Sequence, residues 1–241
     1  MIIGSFLNAL GILLGALLGL ARRQPLTART QDFFKAALGI LTAFYGLRLI
    51  YQNVEWRLAV CWKQLALAVL AVVIGNWVGR LLRLQTWSNR LGRHAATLLA
   101  AAQKNPSAPA AAGFVASTLL FCAAPLGFLG AVVDGLEGYW YLLELKAVMD
   151  GLAMMSFVKV FRWPAAFAAL PVFLFFNGIG LAVQLGVRPW LEPLQLTNSI
   201  GAAAGLDTCI VALVIFQVRR VELANYLPAL VVAPILTHWL E

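Results

Sequence analysis

The sequence predicts an all-α polytopic integral membrane protein with seven to eight transmembrane helices, and three observations carry that prediction. The 241-residue chain is 62% hydrophobic and only 12% charged, with mean hydropathy +0.85. A soluble domain usually carries about twice that charged fraction. Apolar runs of the length needed to cross ~30 Å of hydrocarbon recur along the whole chain. The basic residues gather at the ends of alternate runs rather than spreading over one surface.

Taken in order, the expected spans are 2–20, 36–51, 64–79, 113–133, 140–157, 164–185, 198–217 and 223–240. The first has no basic segment before it, and its positive flank (Arg22, Arg23) follows it, so it reads as a retained helix rather than a signal peptide. The second and third are short. The last holds Pro228 and Pro234 and is expected to be broken or only partly inserted.

The net charge of +8 is a matter of topology, not of nucleic-acid binding. The first, third, fifth and seventh connections hold thirteen of the 18 basic residues, among them Arg22, Arg29, Lys35, Arg80, Arg83, Arg90, Arg93, Lys159, Arg162 and Arg219. The even connections hold only Arg57, Lys63 and Arg188. By the positive-inside rule the odd connections are cytoplasmic and the N-terminus is outside. Within the third connection, Leu81, Leu82, Leu84, Trp87 and Leu91 form an apolar stripe. The stripe predicts an interfacial amphipathic helix, the alternative being a continuation of the third span. Asn105-Pro106-Ser107-Ala108-Pro109 reads as a linker.

Phe6-Leu7-Asn8-Ala9-Leu10-Gly11 and Phe175-Phe176-Asn177-Gly178-Ile179-Gly180 both place Asn three residues before Gly, and each opens a set of three spans. Five spans separate them, so the copies would be inverted, a recurring transporter plan with the site near mid-membrane. On this reading the single membrane domain (1–241) contains repeat halves 1–79 and 164–241, a cytoplasmic segment 80–112 and central spans in 113–163.

Polar residues inside the spans are the candidates for function, because an unpaired charge there costs roughly 2.5–3.5 kcal/mol on insertion scales. Lys146 and Asp150 are four residues apart and share a helix face. They read as a substrate or proton site, or as an internal salt bridge. Pro125 should bend or break span four, since it lacks an N–H and crowds the carbonyl of Phe121. Gly127, Gly130 and Asp134 follow on one face, and Asp134-Gly135 reads as an outer turn or as part of a site. Gly151 repeats the Asp-Gly pair after Asp150. Gly4, Asn8, Gly11, Gly15 and Gly19 make a small-residue stripe suited to close helix packing, within the chain or across a dimer. Asn177 shares a face with Gly180 and Gln184. Asp207, in an apolar helix, would be able to carry a proton, with Arg48 as a conjectural partner.

Cys61, Cys122 and Cys209 stand singly, and His94 and His238 lie near interfaces, so neither a metal site nor a disulfide framework is indicated. No cofactor motif and no catalytic triad appears.

The sequence resembles the bacterial YdfK/YqgA-like membrane proteins, domain of unknown function 554. The residues that carry the resemblance are Ile3 to Gly11, then Leu119-Leu120-Phe121-Cys122 with Gly130 and Asp134-Gly135-Leu136. Lys146 with Asp150-Gly151 and the closing Ala224-Asn225-Tyr226-Leu227-Pro228-Ala229-Leu230 complete it. Ala124-Pro125-Leu126 and Asp207 depart from that family's pattern. The resemblance implies a multi-pass protein of the bacterial cytoplasmic (inner) membrane, often presumed a transporter, and supplies no reaction. The expected function is a transporter or channel for a small ion or solute, the expected partners being membrane lipids and a second copy of the chain. The alternatives are a non-catalytic scaffold and, behind it, a lipid-modifying enzyme.

Overall fold

The structure is a computed structural model, and it describes residues 3–22, 24, 26–104, 110–219 and 221–240, with the backbone alone for 102–104 and 110. The expected linker 105–109 lies outside the described residues. Every regular element described is helical. The α-helices are α1 (Ile3–Ala21), α2 (Ala28–Asn53), α3 (Leu58–Leu81), α4 (Leu84–Lys104), α5 (Ala110–Cys122), α6 (Pro125–Glu137), α7 (Tyr141–Phe161), α8 (Ala169–Ala182), α9 (Arg188–Leu191), α10 (Thr197–Ile215) and α11 (Ala229–Leu240).

Among the described residues, six helical segments are long and apolar enough to cross a membrane, and the bent pair α5–α6 makes a seventh if it counts as one span. The expected span over 140–157 corresponds to α7, which is 21 residues long but carries Glu144, Lys146, Asp150 and Lys159, and is therefore not apolar enough to count. The two spans read as short are longer than expected. α2 runs 26 residues and α3 runs 24, because polar ends such as Gln31 to Lys35 and Arg80 continue the helix beyond the hydrophobic stretch.

Breaks fall where the backbone is deflected. α5 ends at Cys122 and α6 starts at Pro125, bent by 60°. The chain thus satisfies the proline by ending one helix and starting another, with Pro125 at the first position, where its missing N–H has no intrahelical partner to lose. Arg83 at φ 55 separates α3 from α4. Arg162 at φ 61 and Gln217 at φ 59 stop α7 and follow α10. A 3-10 turn comes after each stop, Trp163–Ala168 and Leu223–Tyr226, before the next helix begins. The last segment, Leu223–Leu240, is nonetheless long and apolar enough to count as one span: Pro228 falls at the step from its 3-10 turn to α11, and Pro234 sits inside α11 without ending it.

Two compact units account for the chain. The first contains Met1–Thr27, Thr86–Ala131 and Trp140–Ile179, and the second Ala28–Gln85, Val132–Tyr139 and Gly180–Glu241. In the first, α1 lies against α7 along its glycines. A Cβ at Gly11 would strike the backbone of Ala147, one at Gly15 that of Gly151, and one at Gly19 that of Met155. The small-residue stripe is therefore used within the chain. In the second, α2 meets α10 at Gly46 and Gly205, and α3 meets the closing segment at Gly75 with Ala229 and at Gly79 with Asn225. Small residues matter here because lipid offers no hydrophobic reward for helix association, so close backbone contact must supply it.

The outward faces are apolar. Phe6, Leu13, Leu17, Ile40, Phe44, Trp62, Val73, Leu170 and Leu174 are exposed, while Asn8, Lys146, Asp134, Asp150 and Asp207 are buried. On α4, Trp87 and Leu91 are exposed, while Ala95, Leu98 and Leu99 join the core of the first unit.

Asn225 of the closing motif is a structural staple of the second unit. Its Oδ1 accepts the Gln85 backbone N–H (3.0 Å) at the start of α4, the Gln85 side chain accepts the Ala224 N–H (3.0 Å), and Asn225 Nδ2 donates to Glu222 (2.7 Å). Asn225→Ala leaves a buried donor unmet and is expected to cost about 1–3 kcal/mol, read as a lowered unfolding midpoint in detergent. Gly15→Ala overpacks the α1–α7 contact and is expected to cost about 1–3 kcal/mol. Gly92→Ala, whose added Cβ meets nothing within 4 Å, is the control that should leave the midpoint unchanged or raise it.

Candidate functional site

Helix periodicity puts Lys146 and Asp150 on the inner face of α7, where Lys146 is 1% and Asp150 6% exposed. Lys146 Nζ donates to Asp150 Oδ2 as a buried ion pair. Two aromatic faces enclose the ammonium, with Nζ 5.1 Å from the Phe176 ring centroid and 5.8 Å from that of Phe121. An ammonium over a ring face gains from the ring quadrupole, which offsets part of its lost hydration. Gly127 on α6 makes room for this arrangement, since a Cβ there would collide with Lys146 Cε and the Phe176 ring.

From α1, the wholly buried Asn8 interacts with the Asp150 carboxyl, although neither its Oδ1 nor its Nδ2 forms an aligned hydrogen bond. Ser117 and Thr118 on α5 also bury hydroxyls without a partner. Unmet polar groups of this kind are rare in a finished core and call for water or a ligand.

Asp150 also lines an open groove of about 630 Å³ on the first unit. Its wall is made by Ser88, Asn89, Gly92, Arg93 and Ala96 on α4, by Phe121 and the Ala123-Ala124-Pro125 break, and by Met149 and Ala153 on α7. Ser88 Oγ donates to the Ala123 carbonyl (3.4 Å), one of the backbone groups that the break sets free. In lipid, broken backbone of this kind is tolerated only against protein or a wet cavity.

The structure thus brings together Asn8, Lys146, Asp150, Gly127, Pro125 and Gly151 in the first unit. Gly130 packs there too, with Leu143 about 3.1 Å from where its Cβ would stand. Asn177 is half-buried on α8, and its neighbour Phe176 is the residue that closes on Lys146.

Asp134 and Gly135 belong to the second unit. Asp134 is buried and engaged, and Gly135 lies against the Gly180 carbonyl. Asp207 also belongs there, 4% exposed, and both its oxygens are without a hydrogen-bond partner among the described residues. The conjectured Asp207–Arg48 bond is therefore absent. Arg48 instead places its guanidinium 6.0 Å over the Tyr139 ring. Tyr139 in turn donates to the Tyr45 carbonyl (2.9 Å), and Asn53 donates to Glu137 (3.0 Å).

Sequence reasoning missed the aromatic clamp of Phe121 and Phe176, because such rings are indistinguishable from lipid-facing ones until the helices are placed. It also missed Asn89 and Ser88 as groove wall, and Arg93, expected on the water side of an amphipathic helix, is exposed and lines the same groove. No group of three or more His, Cys, Asp or Glu side chains suited to a metal ion occurs among the described residues.

These residues fall on a known family pattern. The family model described as protein of unknown function (DUF554) matches residues 3–238. The chain belongs to this family. It is 27% identical over 241 residues to "Uncharacterized protein YqgA" of Escherichia coli (strain K12), covering 99% of this chain and 98% of the relative. It is 25% identical over 232 residues to "Uncharacterized membrane protein YdfK" of Bacillus subtilis (strain 168), covering 96% and 94%. No solved structure matches. The family-like residues identified in the sequence, Lys146 with Asp150-Gly151 and Asn225, fall at the buried ion pair and at the α4 staple.

Lys146→Met strands an unpaired carboxylate in the core and is expected to cost about 3–5 kcal/mol. Lys146→Met combined with Asp150→Leu removes both charges and should recover most of that loss, as a double-mutant cycle of detergent unfolding midpoints will show.

Proposed function

We propose that this protein is a membrane transporter or channel for a small ion or solute, with its polar site at Asn8, Lys146 and Asp150. One observation carries the reading: a buried ion pair whose carboxylate forms part of the wall of an open groove at a broken helix. A scaffold has no need for an ionised pair at such a place, since an apolar pair of similar volume is often as stable or more so. A ligand-translocating protein does need one, because a charge that can exchange its partner responds to what enters the groove.

Other features extend the proposal. Asp207 of the second unit, buried without a partner, is assigned to the carriage of a proton or cation. Asn177 and Asp134 are assigned to polar lining of the pathway. The odd connections are taken as cytoplasmic and the membrane as the bacterial inner membrane, in keeping with the charge distribution. An inverted relation of spans one to three and six to eight, and a homodimer, belong to the same reading.

Proteoliposomes test the function. Uptake of labelled sodium, potassium, acetate, phosphate and glycine is measured for the native chain, Asp150→Asn and Lys146→Met, with folding verified for each. Flux of at least one solute, lost in both variants, is expected. Flux that persists unchanged in both removes the pair from the mechanism. A second readout needs no substrate. Ala124→Cys, in a background without Cys61, Cys122 and Cys209, should react with a membrane-impermeant thiol reagent, and complete protection would show the groove to be dry.

A further inference from the structure

The groove of the first unit also identifies the charge of what it takes, given the transport reading above. Two charged side chains line it, Arg93 from α4 and Asp150 from α7. Asp150 is neutralised at once, because Lys146 Nζ is bonded to its carboxylate and is itself buried. Arg93 has no acidic partner among the described residues. It also lacks the ring contact that its neighbour Arg90 makes, whose guanidinium lies 5.8 Å from the Trp87 centroid. The remaining polar wall, Asn89 and Ser88, is uncharged. Arg93 and Asn89 are exposed, so the open side of the groove carries one cation that has no acidic partner among the described residues.

A guanidinium presents a planar fork of N–H donors that matches the two oxygens of a carboxylate or phosphate. The inner wall, Phe121, Pro125, Met149 and Ala153, is apolar, so the Arg93 side of the groove supplies its charged donor. A cation entering the same space would meet Arg93 and find the Asp150 carboxylate already occupied.

We infer that the substrate of this site is a small oxyanion, a carboxylate or a phosphate, held by the Arg93 guanidinium with Asn89 beside it. Arg93 is a binding residue on this account.

The test is equilibrium binding to the purified full-length protein in detergent at fixed ionic strength, read as a saturable shift of the unfolding midpoint. Sodium acetate and sodium phosphate are the anionic probes, which separate a carboxylate preference from a phosphate one. Glycine and ammonium chloride are the zwitterionic and cationic probes. Acetate or phosphate is expected to bind while glycine and ammonium do not. Arg93→Gln should weaken the anion by about tenfold or more, and Arg93→Lys by far less, as the loss or retention of a charge-assisted contact predicts. Equal anion affinity in Arg93→Gln, or tighter binding of ammonium or glycine than of either anion, overturns the inference. Flux that is lost in Asp150→Asn but is indifferent to Arg93→Gln would sink this assignment alone and leave the transport reading standing.

Discussion

The structure depends on one constraint, that a charge taken out of water must bring its own compensation. Lys146 and Asp150 meet it as a pair, and every element around them is arranged so that the pair fits. α1 approaches with glycines so that Asn8 reaches the carboxylate. Gly127 gives up a side chain so that the lysine stem can pass, and Phe121 and Phe176 close over the ammonium. None of these residues is charged, yet each is dictated by the charge. Desolvation of an isolated ion of this size costs several kcal/mol even after relaxation, more than any one packing contact in the unit returns.

The same constraint explains where the backbone breaks. A helix satisfies its own N–H and C=O groups, so a membrane protein surrenders that economy only where something else meets the freed groups. The α5–α6 break at Ala123 and Ala124 faces an open groove and the Ser88 hydroxyl. The α3–α4 break at Arg83 is covered by the Asn225 and Gln85 exchange. The two breaks look alike in the chain, but one is sealed by reciprocal hydrogen bonds and the other opens on space. That contrast separates a structural joint from a site.

Much of this was legible in the sequence because hydropathy and charge act through composition. The membrane class, the helical architecture, the break at Pro125, the buried Lys146–Asp150 face and the glycine stripe of α1 each follow from a local pattern: run length, a missing N–H, or a spacing of four. What was not legible depends on which helices meet. Gly11 and Gly15 suit a neighbour within the chain as well as a second copy, and only the placement of α7 decides the case. Arg48 was matched to Asp207 by charge, whereas packing gave it the Tyr139 ring. Span edges were drawn short because the hydropathy boundary ends before the helix does, and Arg80 and Gln31 are helical without being apolar. α7 failed the apolarity expected of a span for the very reason that makes it central, the four charged residues it carries.

Asp207 marks the boundary of what pairing explains. Its carboxylate is buried in a Gly- and Ala-rich helix and accepts no hydrogen bond from the described residues, so the rule that governs Lys146–Asp150 is not satisfied there by them. A carboxyl group in that position resolves the cost by taking up a proton or by holding a cation, and both outcomes change its charge when conditions change. One unit therefore holds a compensated charge beside an open groove, and the other an uncompensated one in a close-packed helix. On the proposed function, the first is the candidate for recognising a charged solute and the second for a charge that is itself loaded and released.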